Sequence, residues 1–453
     1  MTDATAGLPG WPLAGCLFSF GRDPLGFLSG AARGRDAVWI KLGRKWVLLV
    51  TTPAGLDHVL RHAHEKYRKS DRNRLLARVM GLSVLTAESA DDAWLERRRI
   101  VQRELGRESL PHAAGVVATE VRRLIADWQT LGGKPTDLER DMQRLTLNVI
   151  VRVMFGAQVT ESELEEARAA IDVAMEYVQT RWLGLMDIPL WVPTPLNRRF
   201  KRALATLNQI VYRIIRSRAP AGPPPEDEDL LDRLLRARRT PSDRGEASTR
   251  FDAEEVRNEV LTIFLAGHET TAMTLCWVFD QLGRHPQVAS RVRDEATRVL
   301  GGGDARPEHV RDLPTVRAVV NETLRLYPPV WLISRTALKD DTVSGVDFRE
   351  GTAVWVSPYL AHRDPSVWAK ADEFHPARWA DDLVLPDGAF APFGLGPRKC
   401  AGDLFALTEL CLIVATIGQH FRVEPLSASP VSPRPLVTLR PGARIEVRPV
   451  PWA

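Results

Sequence analysis

Apolar positions alternate in some stretches of the chain and recur every three to four residues in others, and each habit predicts a different element. The opening residues are punctuated by Pro9, Gly10, Pro12 and Gly15 and read as a loop. VWIKLG and KWVLLV flank a short basic turn and predict a hairpin, Trp39 to Leu42 against Trp46 to Val50. From 53 to 215 the pattern is helical, interrupted by WLGLMDIPLWVPTPLNRRF, Trp182 to Phe200, where prolines crowd among large apolar groups. Residues 216–250 carry proline and charge at both ends, with one short amphipathic helix, DLLDRLLRA, inside. This stretch is read as a surface excursion within one domain rather than a boundary. A long helix follows. Asp252 caps it, Glu255 completes a capping box, and Phe251 and Val256 occupy the staple positions. It is expected to run to about Leu282, stopping near Gly283 and Pro286, and about thirty residues at helical rise span roughly 45 Å. More helices lead to about Leu326, and strand-like segments occupy 330–358. CAGDLFALTELCLIVATI reads as a buried helix with Cys400 at its mouth, and the tail as sheet or loop.

Composition narrows what such a chain does. With 453 residues, 26% charged and 44% hydrophobic, it has the make-up of a soluble globular protein, and length alone permits one to three domains. A formal charge of +4 is small for this size and argues against nucleic acid as a partner. Cys16, Cys276, Cys400 and Cys411 are too sparse for a disulfide scaffold and too scattered for an iron–sulfur cluster. A reducing, cytoplasmic setting is expected. The N-terminal stretch lacks the basic start and apolar run of a signal peptide, and no stretch of eighteen uninterrupted apolar residues reads as a membrane anchor.

Cys400 stands between glycines, a proline and two basic residues. A nucleophilic thiolate wants a nearby base, and the closest histidine in sequence, His375, lies outside the segment. A zinc site wants about four ligands, which no local group supplies. One thiolate does suffice to hold heme iron, because the porphyrin provides four nitrogens. Gly394, Gly396 and Gly402 permit tight turns and close approach to a flat cofactor. Taken alone, a buried unligated cysteine explains these residues as well.

The stretch FGLGPRKCAG resembles the heme-binding signature of the cytochrome P-450 superfamily, FxxGxxxCxG, with Phe393, Gly396, Cys400 and Gly402 at its fixed positions and Phe405, Ala406 and Glu409 following. The resemblance implies that Cys400 is the proximal thiolate ligand, that Phe393 packs near it and that Arg398 pairs with a heme propionate. The middle of the long helix, AGHETT, is similar to the family's oxygen-binding helix. There Ile263, Ala266, Gly267, Thr270 and Thr274 share a face, and Glu269 and Thr270 match the acid–alcohol pair that relays protons. Helix-to-helix packing is the competing reason for small residues at Ala266 and Gly267. In ETLRLYPP, Glu322 and Arg325 match the ExxR element, which forms a structural triad with the arginine of FHPARW, here Phe374, Pro376, Arg378 and Trp379. In WLERRR, Trp94 and Arg98 match WxxxR, which donates to a propionate, whereas Arg97 and Arg99 read as solvent-facing charges. Arg335 matches a third propionate partner.

The resemblance covers nearly the whole chain. It implies a mainly α fold, a helix-rich triangular prism with small β-sheets and a long central helix over the heme. The single domain 1–453 would comprise an N-terminal loop and β region (1–52), the central helix (251–283) and the heme-binding loop with its helix (391–418). It also implies a monooxygenase carrying heme b, iron protoporphyrin IX, which places one atom of O2 in an apolar substrate and one in water. Electrons would come from NAD(P)H through a ferredoxin or flavodoxin-like donor and its reductase, with Lys399 facing that partner. Pocket walls are expected from Leu82, Val84, Leu85, Met175, Leu183, Phe264, Ala266, Val330, Trp331, Leu332 and Ile333, with Trp182 to Phe200 as a mobile lid. These side chains suit a fatty acid, terpenoid or steroid-like compound. Trp94 and Arg398 stand where many soluble bacterial members have histidine, so the chain reads as a soluble, bacterial, monomeric member with a microsomal-like signature. A peroxygenase or rearranging enzyme is the alternative chemistry and a heme-binding sensor the non-catalytic one. The acid–alcohol pair speaks against both.

Overall fold

A computed structural model describes residues 7–8, 10–11, 13–62, 65–70, 73–88, 92–156, 159–183, 188–218, 229–236, 251–379 and 383–452. In chain order the helices are α1 (Leu17–Arg22), α2 (Pro24–Ala32), α3 (Pro53–Arg61), α4 (Asn73–Met80), α5 (Asp92–Glu104), α6 (Leu110–Thr130), α7 (Leu138–Phe155), α8 (Glu161–Leu183), α9 (Pro195–Ser217), α10 (Leu230–Arg236), α11 (Ala253–Arg284), α12 (Pro286–Leu300), α13 (Pro314–Leu326), α14 (Pro358–Ala361) and α15 (Asp403–His420). The strands are β1 (Ala37–Leu42), β2 (Lys45–Val50), β3 (Tyr67–Lys69), β4 (Thr136–Asp137), β5 (Ile333–Ala337), β6 (Asp341–Val343), β7 (Val346–Phe348), β8 (Ala353–Val356), β9 (Phe421–Pro425), β10 (Pro433–Pro435), β11 (Leu439–Pro441) and β12 (Glu446–Pro451). The fold is mainly α with small sheets.

The chain divides into two compact units. The first comprises 1–73, 321–400 and 433–440, the second 74–320, 401–432 and 441–453. Chain on both sides of the 216–250 excursion belongs to the second unit, so no division falls there. Of the excursion itself, 219–228 and 237–250 lie outside the described residues, while its short helix is α10.

In the first unit a five-stranded sheet runs in the order β1-β2-β8-β5-β3, antiparallel except for β2 and β8. Alternation explains how it is covered on both faces. Val47, Leu49 and Trp355 join Phe20, Leu25 and Leu28 in one apolar core, whereas Leu48, Val50, Val354 and Val356 meet Leu56, Val59 and Leu60 of α3 in another. The expected hairpin forms, each strand being slightly longer than its apolar run.

The second unit is helical, with a small sheet ordered β4-β12-β9. Its axis is α11, 32 residues long. Both capping-box bonds are made, Glu255 N–H to Asp252 Oδ1 at 2.8 Å and Asp252 N–H to Glu255 Oε2 at 3.0 Å. The helix ends at Arg284, between Gly283 and Pro286 as expected. Gly283 has a packing role as well. A Cβ there would come within 2.2 Å of Pro425 Cδ and 2.4 Å of the Val423 carbonyl, so the glycine admits β9 against the helix. The proline-rich Trp182–Phe200 stretch is also more regular than expected. Pro195 occupies the first turn of α9, where its missing N–H costs nothing, and Thr194 caps the helix by accepting from Asn197 N–H. Fully buried Asn197 then donates to the carbonyls of Pro189 and Val192. Residues 184–187 of that stretch lie outside the described residues. Among the described residues one helix, α15, is long and apolar enough to cross a membrane, and 67% of it is buried inside the fold.

Candidate active site

The first unit carries the cysteine loop and its brace. Cys400 is exposed, whereas Cys16, Cys276 and Cys411 are buried. Burial pushes the Cys411 thiol up to about 12, which disfavours the thiolate form that binds metals. The loop closes on itself, Cys400 N–H donating to Phe393 O at 2.8 Å and Gly394 N–H to Ala391 O at 3.1 Å. Gly394 and Gly396 both take positive φ. A Cβ on Gly396 would lie 2.4 Å from the Leu60 carbonyl, so this position admits no other residue without moving α3.

The brace centres on Glu322, which is fully buried. Its carboxylate accepts from Arg325 Nε and Nη2 at 2.9 Å each, from His375 N–H at 2.8 Å, from Arg378 Nε at 2.9 Å and from Trp379 Nε1 at 2.9 Å. The expected triad is therefore assembled. Arg325 also donates to the carbonyls of His362, Ala371 and Glu373. His362, which no sequence signal singled out, joins this brace to the cysteine loop. Its Nδ1 meets the Arg325 carbonyl at 3.2 Å, and its Nε2 accepts from Ala391 N–H at 2.8 Å. Burial holds this imidazole neutral, at about 3, which its role as acceptor requires.

Arg335 on β5 is buried, donates to the Ser334 carbonyl at 3.1 Å, and has Arg398 as a like-charged neighbour. Desolvation and the charge of Arg398 pull it down to about 10. Two neighbouring guanidiniums, one of them two residues before exposed Cys400, suit a flat cofactor that presents carboxylates. That is the donor set heme requires.

The second unit supplies a helix face and a loop. From Val256 to Leu282 every residue of α11 is buried except Ala266, Gly267 and Thr270, which share one side. Ile263 and Thr274, expected on this face, are buried. Gly267 also serves packing, since a Cβ there would meet Ile150 of α7 at 3.2 Å. Thr270 Oγ1 donates to the Ala266 carbonyl at 2.8 Å, and Glu269 is buried beside it.

The loop 81–86 is clasped to α11. Glu259 accepts the Val84 N–H at 3.0 and 3.2 Å, and Asn258 fills the space that a side chain at Gly81 would need. Burial pushes Glu259 up to about 7, against the pull of the Val84 amide and Arg97. Trp94 differs from the sequence expectation. Its indole N–H donates to the Val84 carbonyl at 2.8 Å, while Arg98 lies over the Trp94 ring at 5.5 Å. Arg97 differs too. It is no solvent-facing charge but pairs with Glu255 at 2.8 Å and packs over Phe251. The residue of that run facing solvent is Arg99.

Of the expected pocket residues, Val84, Leu85, Met175 and Ile333 are half-buried, Phe264 is buried, and Leu82 and Val330 are exposed. Trp331 is a core side chain, packed with Phe20 and Trp355 and donating its indole N–H to the Leu436 carbonyl, and Leu332 joins the same core. The Leu183 side chain lies outside the described residues.

The chain is 34% identical to cyclooctat-9-en-7-ol 5-monooxygenase of Streptomyces melanosporofaciens over 92% of its own length and 88% of that protein. It is 31% identical to cyclooctatin synthase of the same organism over 96% of the chain and 93% of that protein. Pentalenene oxygenase of Streptomyces avermitilis is 30% identical over 96% of the chain and 95% of that protein. The cytochrome P450 family model matches residues 6–447. An exposed thiol in a glycine-hinged loop, braced by the Glu322–Arg325–Arg378 triad, thus occurs in a sequence matching that family from end to end, and the chain belongs to the cytochrome P450 family of monooxygenases.

Proposed function

We propose that the chain is a heme-thiolate monooxygenase that hydroxylates an apolar, terpenoid-type skeleton, using O2 and electrons from a separate ferredoxin or flavodoxin-like donor. The Cys400 loop carries this reading, an exposed thiol whose backbone is fixed by Phe393 and whose neighbourhood is cationic. Bound there, heme supplies the iron at which dioxygen is reduced and split. Cys400 would hold the iron through its thiolate, and Arg98, Arg335 and Arg398 would meet the carboxylates. Trp94 acts on this cofactor through Arg98 and Val84 rather than through its own N–H. Ala266 and Gly267 give room for a small ligand. Thr270 holds its proton on the Ala266 carbonyl and offers Oγ1 as an acceptor to water, and Glu269 takes up and returns protons. Val84, Leu85, Met175 and Phe264 in the second unit, and Val330 and Ile333 in the first, supply apolar side chains for the substrate, and exposed Lys399 meets the acidic face of the electron donor. The terpenoid class rests on the names of the similar Streptomyces enzymes.

The test is spectroscopic. The reduced, carbon monoxide-treated protein shows the thiolate band, and Cys400→His loses it even where heme is retained; an unchanged band in that variant sinks the assignment. Titration with cyclic terpenes, terpene alcohols, fatty acids and steroids, following loss of the iron-bound water, identifies the substrate class. A response to fatty acids alone would reject the terpenoid reading.

A further inference from the structure

Three consecutive residues of α11, Arg257, Asn258 and Glu259, are polar and all buried. Successive residues point about 100° apart on a helix, so the three reach different neighbours. Arg257 donates from Nε to Asn208 Oδ1 of α9 at 2.8 Å and from Nη1 to Asn258 Oδ1 at 2.7 Å. Asn258, so held, lies against Gly81, where a Cβ would come within 2.1 Å of its Oδ1 and 2.4 Å of its Nδ2. Glu259 takes the Val84 N–H, and Trp94 donates its indole N–H to the Val84 carbonyl. Both main-chain polar groups of Val84 are thus engaged by side chains.

The segment these residues grip is a closed block. Buried Ser83 and Thr86 face each other through their hydroxyls at 3.0 Å, Ser83 N–H donates to Thr86 Oγ1 at 2.9 Å, and Thr86 Oγ1 donates to the Gly81 carbonyl. Such a block moves as one piece, and its place is decided by what holds it from outside. Stability does not explain the hold. Taking a carboxylate out of water to meet one amide is costly, and burial accordingly raises the Glu259 pKa. Arg97, whose charge also acts on Glu259, is bonded to Glu255. What directional bonds add over apolar packing is a fixed position. The side chains whose position is fixed here are Val84 and Leu85, both half-buried.

We propose that Asn258 and Glu259 are positioning residues that decide which substrate outlines the enzyme accepts. They hold the 81–86 block at one place along α11, so that Val84 and Leu85 present a rigid apolar surface rather than an adaptable one. A rigid surface selects among molecules of equal polarity by their shape. It favours a fused or bridged hydrocarbon skeleton, itself rigid, over a flexible chain that loses its freedom on binding. The inference rests on the monooxygenase reading, in which Val84 and Leu85 serve the substrate, and adds how their placement is set.

The full-length, heme-loaded protein is titrated with imidazole, 1-phenylimidazole and 4-phenylimidazole, following the shift in heme absorbance as the azole nitrogen binds iron. The two phenyl compounds are isomers and differ only in outline. Wild type separates them by about tenfold in affinity, the range in which a fitted apolar pocket discriminates. Glu259→Ala and Asn258→Ala each cut that ratio by about fivefold, while imidazole, too small to meet the apolar surface, binds as it does to wild type. Glu259→Gln keeps an acceptor oxygen for the Val84 N–H and so retains more of the ratio than Glu259→Ala. A clasp that serves stability alone would lower the thermal melt of the variants and leave the ratio unchanged. That result overturns the proposal, as does a wild type that fails to separate the isomers. The two alanine variants act at different contacts, so misfolding of one leaves the other to decide. A heme-loaded wild type whose absorbance ignores all three azoles would overturn the monooxygenase reading itself, and this inference with it.

Discussion

Replacing Glu322 by Gln keeps the side chain's shape and removes its charge. In the native brace that charge faces Arg325, which is fully buried, and Arg378, which is nearly so. The variant leaves two guanidiniums in a space that no longer neutralises them. Stripping one partner from a buried ion pair costs about 3–5 kcal/mol. The amide NH2 adds to this, since it presents a donor where the arginine N–H groups need an acceptor, while His375 N–H and Trp379 Nε1 compete for the one remaining oxygen. Glu322→Ala should cost more, because it also leaves a cavity and strands both of those donors. The assay is thermal unfolding followed by far-ultraviolet circular dichroism across pH. Burial alone would raise the Glu322 pKa, but the Arg325 bond and charge, with His375 and Arg378, hold it below its ordinary 4.5. A depressed carboxylate stabilises above the unfolded-state pKa and loses that contribution as pH falls through the folded-state pKa. The gap between wild type and Glu322→Gln should therefore be full at neutral pH and narrow below about pH 4. A Gln variant as stable as wild type at pH 7, or a gap that persists unchanged in acid, would refute the reasoning.

Arg335→Ala should lower heme occupancy yet leave the cofactor-free protein as stable as before or more so, since it relieves repulsion with Arg398; Arg398→Ala should behave alike, and absorbance per protein with a melt of each form checks both. Glu259 has a raised pKa, so its contribution to stability declines as pH rises from about 4.5 to about 7, and Glu259→Gln should remove that decline in a pH series of melts while speeding hydrogen exchange at the Val84 amide. Thr270→Ala should bind substrate with similar affinity but form less product per reduced nicotinamide consumed, with more peroxide; unchanged coupling would reduce the threonine to packing.

Motifs whose chemistry depends on residues close in sequence are legible in the sequence alone. The glycine-flanked Cys400, the Asp252–Glu255 box and the Glu322–Arg325 spacing are of this kind. What escapes such a reading depends on residues distant in sequence. The hold of Glu259 on the Val84 amide uses a side chain that looks like one more charge on a helix, and its partner is a backbone group that any residue carries. His362 escapes likewise, because both its partners are main-chain atoms. Pro195 misleads because it breaks helices by local propensity, yet it sits where a helix begins, and the close approach of β9 to Gly283 is equally invisible in the sequence. Trp331 looks like a pocket wall because a hydropathy pattern marks a side chain as apolar without saying which apolar region receives it.

The parallel pairing of β2 with β8 has a consequence for synthesis. Val47 waits for Ala353, about 300 residues later, and at about 5–20 residues per second the delay is roughly 15–60 s. Throughout that time the hairpin has emerged while the strand that should cover the β2 edge has yet to be made. Such an edge, carrying Val-Leu-Leu-Val, invites pairing with other nascent chains. Expression yield should therefore respond to slower growth, lower temperature and chaperone supply more strongly than equilibrium stability alone would suggest.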